Sequence, residues 1–166
     1  MRPETSIEGR SRETQIRRDA DGNWFDKGRP VTHPGLVSAF ERWVQLAEDG
    51  RYCLKNNTNW AYITLEGAPF FVRALHRADD GSPWLVLSGG AREPLAASSL
   101  RQDPGGMLYC NVRGGRMVAR FDAHAVGQLA PWLHEDERGL YLRFGHQVVR
   151  PPTVFDVLGS ASRHAC

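Results

Sequence analysis

Arginine and aromatic side chains are the residues of this sequence that could bind a charged partner. Nearly all of its positive charge is arginine, since Lys27 and Lys55 are the only lysines. Guanidinium groups bind carboxylates and phosphates through paired hydrogen bonds and stack on aromatic rings. Salt bridges or a coding bias toward arginine would give the same composition. The composition is therefore compatible with an anionic ligand but does not require one.

Four residues form the candidate ligand-binding set, namely His33, Arg51, Trp60 and Arg113. Arg113 adjoins Gly114-Gly115, where backbone N–H groups of a tight turn could hold an anion. Trp60 offers a stacking face for a planar ligand, and His33 a switchable hydrogen-bond donor. A solvated hairpin, a core tryptophan and a surface histidine are the plainer alternatives for these positions.

Sequence motifs of the common enzyme classes do not occur in this chain. Neither a dinucleotide fingerprint nor a phosphate-binding Gly-Lys-Ser/Thr loop is present. Ser88-Gly89-Gly90 lacks the preceding glycine of a nucleophile elbow. The histidines and cysteines show no metal-ligand spacing. We therefore expect no catalytic residue, no metal and no cofactor.

Composition places the chain among ordinary globular proteins. Its 166 residues are 41% hydrophobic and 24% charged, with a net charge of +2. No apolar run is long enough for a membrane helix, and the N-terminus has no secretory signal pattern. Three widely spaced cysteines argue against a disulfide framework. We expect a cytoplasmic protein with no membrane partner and no strong tendency to bind nucleic acid.

Turn residues and apolar periodicity predict an α+β fold in which one pattern occurs twice. Each copy is a hairpin, a helix and a closing hairpin, with antiparallel sheet between the copies. In the first copy Gly28-Arg29 forms the turn, and the helix starts at Pro34 with apolar positions up to Ala47. In the second copy, residues 107–150, Gly115-Arg116 takes the same place and Pro131 ends the helix near Ala130.

These patterns divide the chain into four segments. Residues 1–18 are predicted to be a disordered leader, residues 19–70 and 71–150 two α+β subdomains, and residues 151–166 a tail. Residues 88–106 are rich in Gly, Ser, Ala and Pro, which predicts a loop with at most one helical turn around residues 95–100. In the tail, Phe155, Val157 and Leu158 are candidates for docking on the surface.

A series of short motifs resembles the bacterial domain of unknown function family 1285 (DUF1285). The matching stretches are Asp21-Gly22-Asn23-Trp24-Phe25, Gly28-Arg29-Pro30-Val31-Thr32-His33-Pro34, Leu36-Val37, Phe40, residues 48–54, Trp60, Glu66-Gly67-Ala68-Pro69-Phe70 and Val112-Arg113-Gly114-Gly115. The chain departs from the family at His33 and at residues 56–59.

The resemblance implies an α+β fold with an internally duplicated motif and a C-terminal half loosely similar to pleckstrin-homology domains. It also implies a cleft between the halves for a nucleotide-like ligand, a role in signalling and no established enzymatic activity. We therefore expect a non-enzymatic module that binds a nucleotide-like or anionic small molecule near His33, Arg51, Trp60 and Arg113.

Two alternative functions remain open from the sequence. The first is an enzyme with acid/base or phosphate-ester chemistry, which would use His33 together with Arg113 in one pocket. The second is a homo-oligomeric scaffold, for which an exposed apolar patch would be the sign.

Overall fold

A computed structural model describes residues 11–159 of the chain. They form two compact units, the first ending at Pro69 and the second beginning at Phe70. Both units consist mainly of antiparallel strands, and both contain a short α-helix. The predicted α+β class is therefore confirmed.

The first unit holds two small sheets and one helix in its described residues. Its elements are β1 (Ile16–Arg18), β2 (Trp24–Asp26), β3 (Arg29–Pro30), α1 (Pro34–Trp43), β4 (Val44–Leu46), β5 (Tyr52–Lys55), β6 (Trp60–Tyr62) and β7 (Thr64–Leu65). One sheet has the order β3-β2-β1-β7, with β1 and β7 parallel, and the other is the antiparallel meander β4-β5-β6.

Helix α1 begins as predicted and ends earlier. The His33 side chain caps it by accepting a hydrogen bond from the Leu36 N–H, and Pro34 occupies its first turn. The apolar pattern predicted helix up to Ala47. The helix instead ends at Trp43, because Val44 is β-branched and pairs with Leu54 as the first residue of β4.

Strand β1 corrects the predicted disordered leader. Residues 16–18 pair with β2 on one side, and Arg17 and Arg18 with β7 on the other. The side chain of Arg18 is 1% exposed. An arginine-rich stretch is typical of disordered segments. Here Arg18 pairs with the buried carboxylate of Glu41, and the backbone of β1 hydrogen-bonds to β2 and β7. Residues 1–10 of the predicted leader lie outside the described residues.

The buried arginine belongs to a charged cluster in the core of the first unit. Arg18 donates to the Glu41 carboxylate at 2.9 Å and to the Ala68 carbonyl at 2.5 Å. The indole N–H of Trp24 donates to the other Glu41 oxygen at 3.0 Å. Trp24 also packs edge-on against Phe40 at 5.2 Å between ring centroids. The cluster thereby connects β1, β2, α1 and the end of the unit.

The second unit is built on a six-stranded sheet and a separate meander. Its elements are β8 (Phe70–Arg77), β9 (Pro83–Leu87), β10 (Arg92–Pro94), β11 (Arg101–Gln102), β12 (Leu108–Val112), β13 (Met117–Phe121), α2 (Ala123–Gly127), β14 (Leu133–Asp136), β15 (Gly139–Phe144) and β16 (Gln147–Val149). The large sheet has the order β10-β9-β8-β13-β12-β11, with β8 and β13 parallel, and β14-β15-β16 are antiparallel.

Residues 88–106 contain more structure than the predicted loop. The expected helical turn is a 3-10 turn at Ala97–Ser99. Strands β10 and β11 were not predicted, since they are two or three residues long and form only by pairing with β9 and β12. Such short edge strands carry too few residues to show a period in the sequence.

Helix α2 is shorter than predicted, and its apolar positions are largely exposed. Asp122 directly precedes it, but its carboxylate accepts from Arg73 at 2.9 Å and not from the helix. The helix ends at Gly127, and a 3-10 turn at Ala130–Trp132 follows. Leu129 is buried, whereas Val126 and Leu133 are each 45% exposed.

The predicted tail is anchored through residue 157. Thr153 forms a parallel bridge with Gln102, and the guanidinium of Arg101 donates twice to the Val157 carbonyl. Val157 is buried, as expected, whereas Phe155 is 92% exposed and does not dock.

The two units share one order of elements. In the first, the hairpin β2-β3 is followed by α1 and the meander β4-β5-β6; in the second, β12-β13 is followed by α2 and β14-β15-β16. Both hairpin turns use positive φ, at Lys27-Gly28 and at Arg113-Gly114-Gly115. Equivalence of Gly28-Arg29 with Gly115-Arg116 in superposable copies stays a prediction, as does the likeness to pleckstrin-homology domains.

We predict that Glu41→Gln lowers the free energy of unfolding by about 3 kcal/mol, because it removes the carboxylate charge with which the buried Arg18 pairs. Glu66→Gln is the matched control, since Glu66 pairs with Arg17 where the side chains are 46% and 38% exposed. The control should cost less than about 1 kcal/mol. Urea denaturation followed by circular dichroism measures both, and equal losses would show that the buried pair is not what stabilises the first unit.

Candidate ligand-binding site

Two of the four candidate residues, Arg51 and Trp60, lie in one cation–aromatic cluster of the first unit. The Arg51 guanidinium lies 3.7 Å from the centroid of the Tyr62 ring. Trp60 meets Tyr62 edge-on at 5.0 Å, and the Arg12 guanidinium lies 4.1 Å from the Trp60 ring. The fold therefore brings together two of the four predicted residues. Tyr62, which contacts both of them, and Arg12, which lies over the Trp60 ring, were not predicted.

The meander β4-β5-β6 positions this cluster. Antiparallel pairing sets Lys55 opposite Trp60 and Cys53 opposite Tyr62. Arg51 directly precedes β5, after a turn in which Gly50 has a φ of 86°. The chain before β1 runs beside β6, because the Tyr62 N–H donates to the Arg12 carbonyl.

The polar groups of this cluster bind one another. Arg51 donates to both carboxylate oxygens of Glu13 at 2.7 and 2.8 Å, and this contact lowers the pKa of Glu13 and raises that of Arg51. The Tyr62 hydroxyl donates to Asp49 at 2.7 Å, which lowers the pKa of Asp49 and raises that of Tyr62. An anion would have to displace Glu13 to reach Arg51 in this arrangement.

A small cavity adjoins the cluster. Its volume is about 160 Å³, and it is lined by Gln45, Leu46, Ala47, Glu48, Asp49, Cys53, Lys55, Trp60 and Tyr62. Ligand pockets usually measure roughly 300–1,000 Å³. The cavity is also lined by two carboxylates against one lysine. Size and charge both disfavour a nucleotide-like anion here.

His33 and Arg113 have local partners of their own. His33 uses its Nδ1 to cap α1, at 3.2 Å from the Leu36 nitrogen. The backbone N–H of Arg113 donates to the Glu93 carboxylate, and its guanidinium lies 5.2 Å from the Phe70 ring centroid. The backbone of the Arg113-Gly114-Gly115 turn thus binds an anionic group, as predicted, but that group is the Glu93 carboxylate of the protein itself.

His33, Arg51 and Trp60 lie in the first unit and Arg113 lies in the second. A common site for these four residues in the groove between the halves stays a prediction.

A larger cavity in the second unit has the chemistry expected of an anion site. It has a volume of about 550 Å³ and is lined by Arg77, Asp80, Gly81, Ser82, Pro83, Pro94, Leu95, Ala97, Pro131, Trp132, His134, Arg143, Phe144, Gly145 and Gln147. We call it the Arg77–Arg143 cavity. Arg77 and Arg143 have no carboxylate partner among residues 11–159.

Aromatic rings form the apolar part of the Arg77–Arg143 cavity. Trp132 and Phe144 lie 5.8 Å apart between ring centroids, and the Trp132 N–H points at the Gly81 carbonyl at 3.4 Å. Arg77 lies 5.9 Å from the Trp132 ring. Arg143 donates to the Tyr141 hydroxyl at 3.3 Å, a neutral partner. No carboxylate of the described residues therefore compensates the positive charge of either arginine.

The acidic residue that lines this cavity, Asp80, already accepts hydrogen bonds from a neighbouring residue. The Asp80 carboxylate accepts from the hydroxyl and backbone N–H of Ser82 at 2.6 and 2.9 Å, and these bonds lower its pKa. The carboxylate serves the turn between β8 and β9.

Sequence reasoning missed the Arg77–Arg143 cavity because its two arginines and its histidine come from three separate elements. Arg77 ends β8, His134 lies in β14 and Arg143 in β15. Strand β14 was not predicted, so nothing placed His134 near Arg143. The available signal was Pro131 followed by Trp132, which marks a sharp turn that carries an aromatic ring.

The described residues hold no other obvious reactive group. No set of three or more His, Cys, Asp or Glu in residues 11–159 is placed to bind a metal ion. Cys53 and Cys110 are buried free thiols. Burial raises the pKa of Cys53 and raises that of Cys110 to about 12. Within residues 11–159, no helix combines the length and apolar character needed to cross a bilayer.

Comparison with known proteins identifies the fold. No family model matches the chain, and no curated protein matches it significantly. A crystal structure of a DUF1285 family protein from Silicibacter pomeroyi DSS-3 shares 21% identity, with a TM-score of 0.61 over 82% of this chain and 78% of that one. A DUF1285 family protein from Shewanella baltica OS155 shares 17% identity, with a TM-score of 0.52 over 68% of this chain and 87% of that one. The chain has the fold of these DUF1285 proteins, as its motifs predicted.

We predict that iodoacetamide at pH 8 leaves Cys53 and Cys110 unmodified in the native protein, although it alkylates both after denaturation. The thiolate is the reactive form, and a pKa of about 12 leaves roughly one Cys110 in ten thousand ionised at pH 8. Peptide mapping by mass spectrometry measures each cysteine separately. Rapid native alkylation of Cys53 would instead make it a nucleophile exposed in the smaller cavity.

Proposed function

We propose that this protein is a non-enzymatic module that binds a small, nucleotide-like anion in the Arg77–Arg143 cavity, in association with signalling. The observation that carries the proposal is a pair of arginines, beside the rings of Trp132 and Phe144, that have no carboxylate partner within residues 11–159. Guanidinium groups bind phosphate and carboxylate through charge-assisted hydrogen bonds.

Size and lining also support a small ligand. A volume of about 550 Å³ falls within the range of ordinary ligand pockets. The rings offer an apolar surface to a base or another flat group, while Arg77, Arg143 and the His134 imidazole face the anionic part. A free inorganic ion would leave the aromatic surface unused, so we favour a ligand with both parts.

Binding fits the cavity better than catalysis. Asp80, the carboxylate among the lining residues, accepts two hydrogen bonds and has a lowered pKa, so it is a poor proton acceptor. The alternative of an enzyme that uses His33 with Arg113 requires both in one pocket. The cap made by His33 and the Glu93 contact of Arg113 give each residue a structural role within its own unit.

We further propose that the two units are copies of one ancestral motif and that the chain is a divergent DUF1285 protein of the cytoplasm. The common order of hairpin, helix and three-stranded meander supports the duplication. The similarity of fold to two DUF1285 proteins supports the family assignment, and two buried free thiols suit a reducing compartment.

We predict that adenosine 5′-monophosphate raises the melting temperature of the protein more than adenosine or inorganic phosphate does. A ligand at 100 times its Kd stabilises the folded state by about 2.7 kcal/mol. Arg77→Gln and Arg143→Gln should each weaken binding about 10- to 100-fold, as loss of a charge-assisted hydrogen bond does. Isothermal titration calorimetry measures the affinities.

Arg92→Gln is the matched control. It removes one positive charge from the same unit, but Arg92 is exposed and does not line the cavity. It should leave the affinity unchanged. Equal weakening by all three variants would indicate nonspecific charge attraction. Absence of any shift across a panel of nucleotides and aromatic carboxylates would refute the proposed ligand class.

A further inference from the structure

A second large cavity of the same unit is apolar. It has a volume of about 540 Å³ and is lined by Gln102, Gly106, Leu108, Val126, Gly127, Leu129, Ala130, Leu133, Leu140, Tyr141, Leu142, Arg150 and Pro151. We call it the Leu133–Leu140 groove. Gln102, Tyr141 and Arg150 are the lining residues with polar side-chain groups, and Arg150 is the charged one.

Apolar side chains at the groove are exposed to an unusual degree. Leu140 is 61% exposed, and Val126 and Leu133 are each 45% exposed. Single exposed apolar residues are common, but these three line one concavity together with the buried Leu129 and Leu142. Covering them would remove apolar surface from water, which is favourable.

Arg150, the cation of the groove, pairs with Asp136, and the carboxylate of a ligand could replace that of Asp136. Arg150 donates to the Asp136 carboxylate and to the Gly139 carbonyl, and its guanidinium lies 4.8 Å from the Tyr141 ring centroid. The Asp136 side chain is 42% exposed. Ion pairs near the surface add little to stability, so exchanging Asp136 for another carboxylate costs little.

We propose that the Leu133–Leu140 groove binds an aliphatic chain with an anionic head, such as a medium-chain carboxylate. The chain covers Val126, Leu133 and Leu140, and the head pairs with Arg150. This site is separate from the Arg77–Arg143 cavity and takes a ligand of different chemistry.

The concave form of the groove favours an aliphatic ligand over a second copy of the protein. A volume of about 540 Å³ matches pockets that enclose small ligands. A stable protein interface instead buries about 800 Å² on each partner, which requires a broad surface. The one cation among the lining residues gives the ligand a defined direction, with its head at Arg150.

A chain-length series tests the proposal. Octanoate, decanoate and dodecanoate, each below its critical micelle concentration, should displace a fluorescent fatty-acid analogue from the protein. Affinity should rise about three- to fourfold per added methylene while the chain still covers apolar surface. Dodecanol should bind more weakly than dodecanoate in the unmodified protein. Arg150→Gln should abolish that preference for the carboxylate.

Groove variants and a matched control locate the site. Leu140→Ser and Leu133→Ser should each weaken dodecanoate binding about tenfold. Val148→Ser should not, since Val148 is 51% exposed on β16 and does not line the groove. The exposure of these three side chains makes folded variants the expectation, which circular dichroism verifies.

Two results would overturn the proposal. The first is an affinity that does not depend on chain length or that falls equally in the Val148→Ser control. The second is a dimer in light scattering that Leu140→Ser dissociates, with no displacement of the probe, since the groove would then be an interface between copies of the chain.

Discussion

Burial of an arginine is the constraint on which the first unit depends. A guanidinium removed from water must have its charge and its N–H groups satisfied. Arg18 obtains this from Glu41 of α1 and the carbonyl of Ala68, and Trp24 donates to the remaining Glu41 oxygen. These bonds connect α1 to β1 and β2, because one Glu41 carboxylate accepts from both Arg18 and Trp24.

The second unit applies the same constraint with neutral partners. Arg101 is 6% exposed and donates to the carbonyls of Ser99 and Val157 and to the side-chain oxygen of Asn111. Its pKa is lowered by desolvation, since no carboxylate among the described residues contacts it. The arrangement anchors residue 157 beside β11, and explains why the predicted tail is ordered that far.

The sequence predicts correctly those elements that interactions between neighbouring residues determine. The Gly114-Gly115 hairpin and the start of α1 at Pro34 follow from turn and capping chemistry. Sequence reasoning failed where a distant partner decides. Val44 leaves the helix to pair with β5, and residues 16–18 are ordered by Glu41 and β7. The same limit applies to the candidate site, since Arg51 and Trp60 share one meander whereas Arg77 and Arg143 are 66 positions apart in the sequence.

The partners of each arginine separate structural from ligand-binding roles better than its sequence context does. Arg51 pairs with the Glu13 carboxylate. Arg77 and Arg143 line a cavity with aromatic rings and meet no carboxylate in the described chain. Both guanidiniums are exposed, so an anion that enters the cavity can pair with either one without displacing a carboxylate of the described chain. At Arg51 the Glu13 carboxylate already accepts two hydrogen bonds, which is the physical reason for placing the proposed ligand in the Arg77–Arg143 cavity.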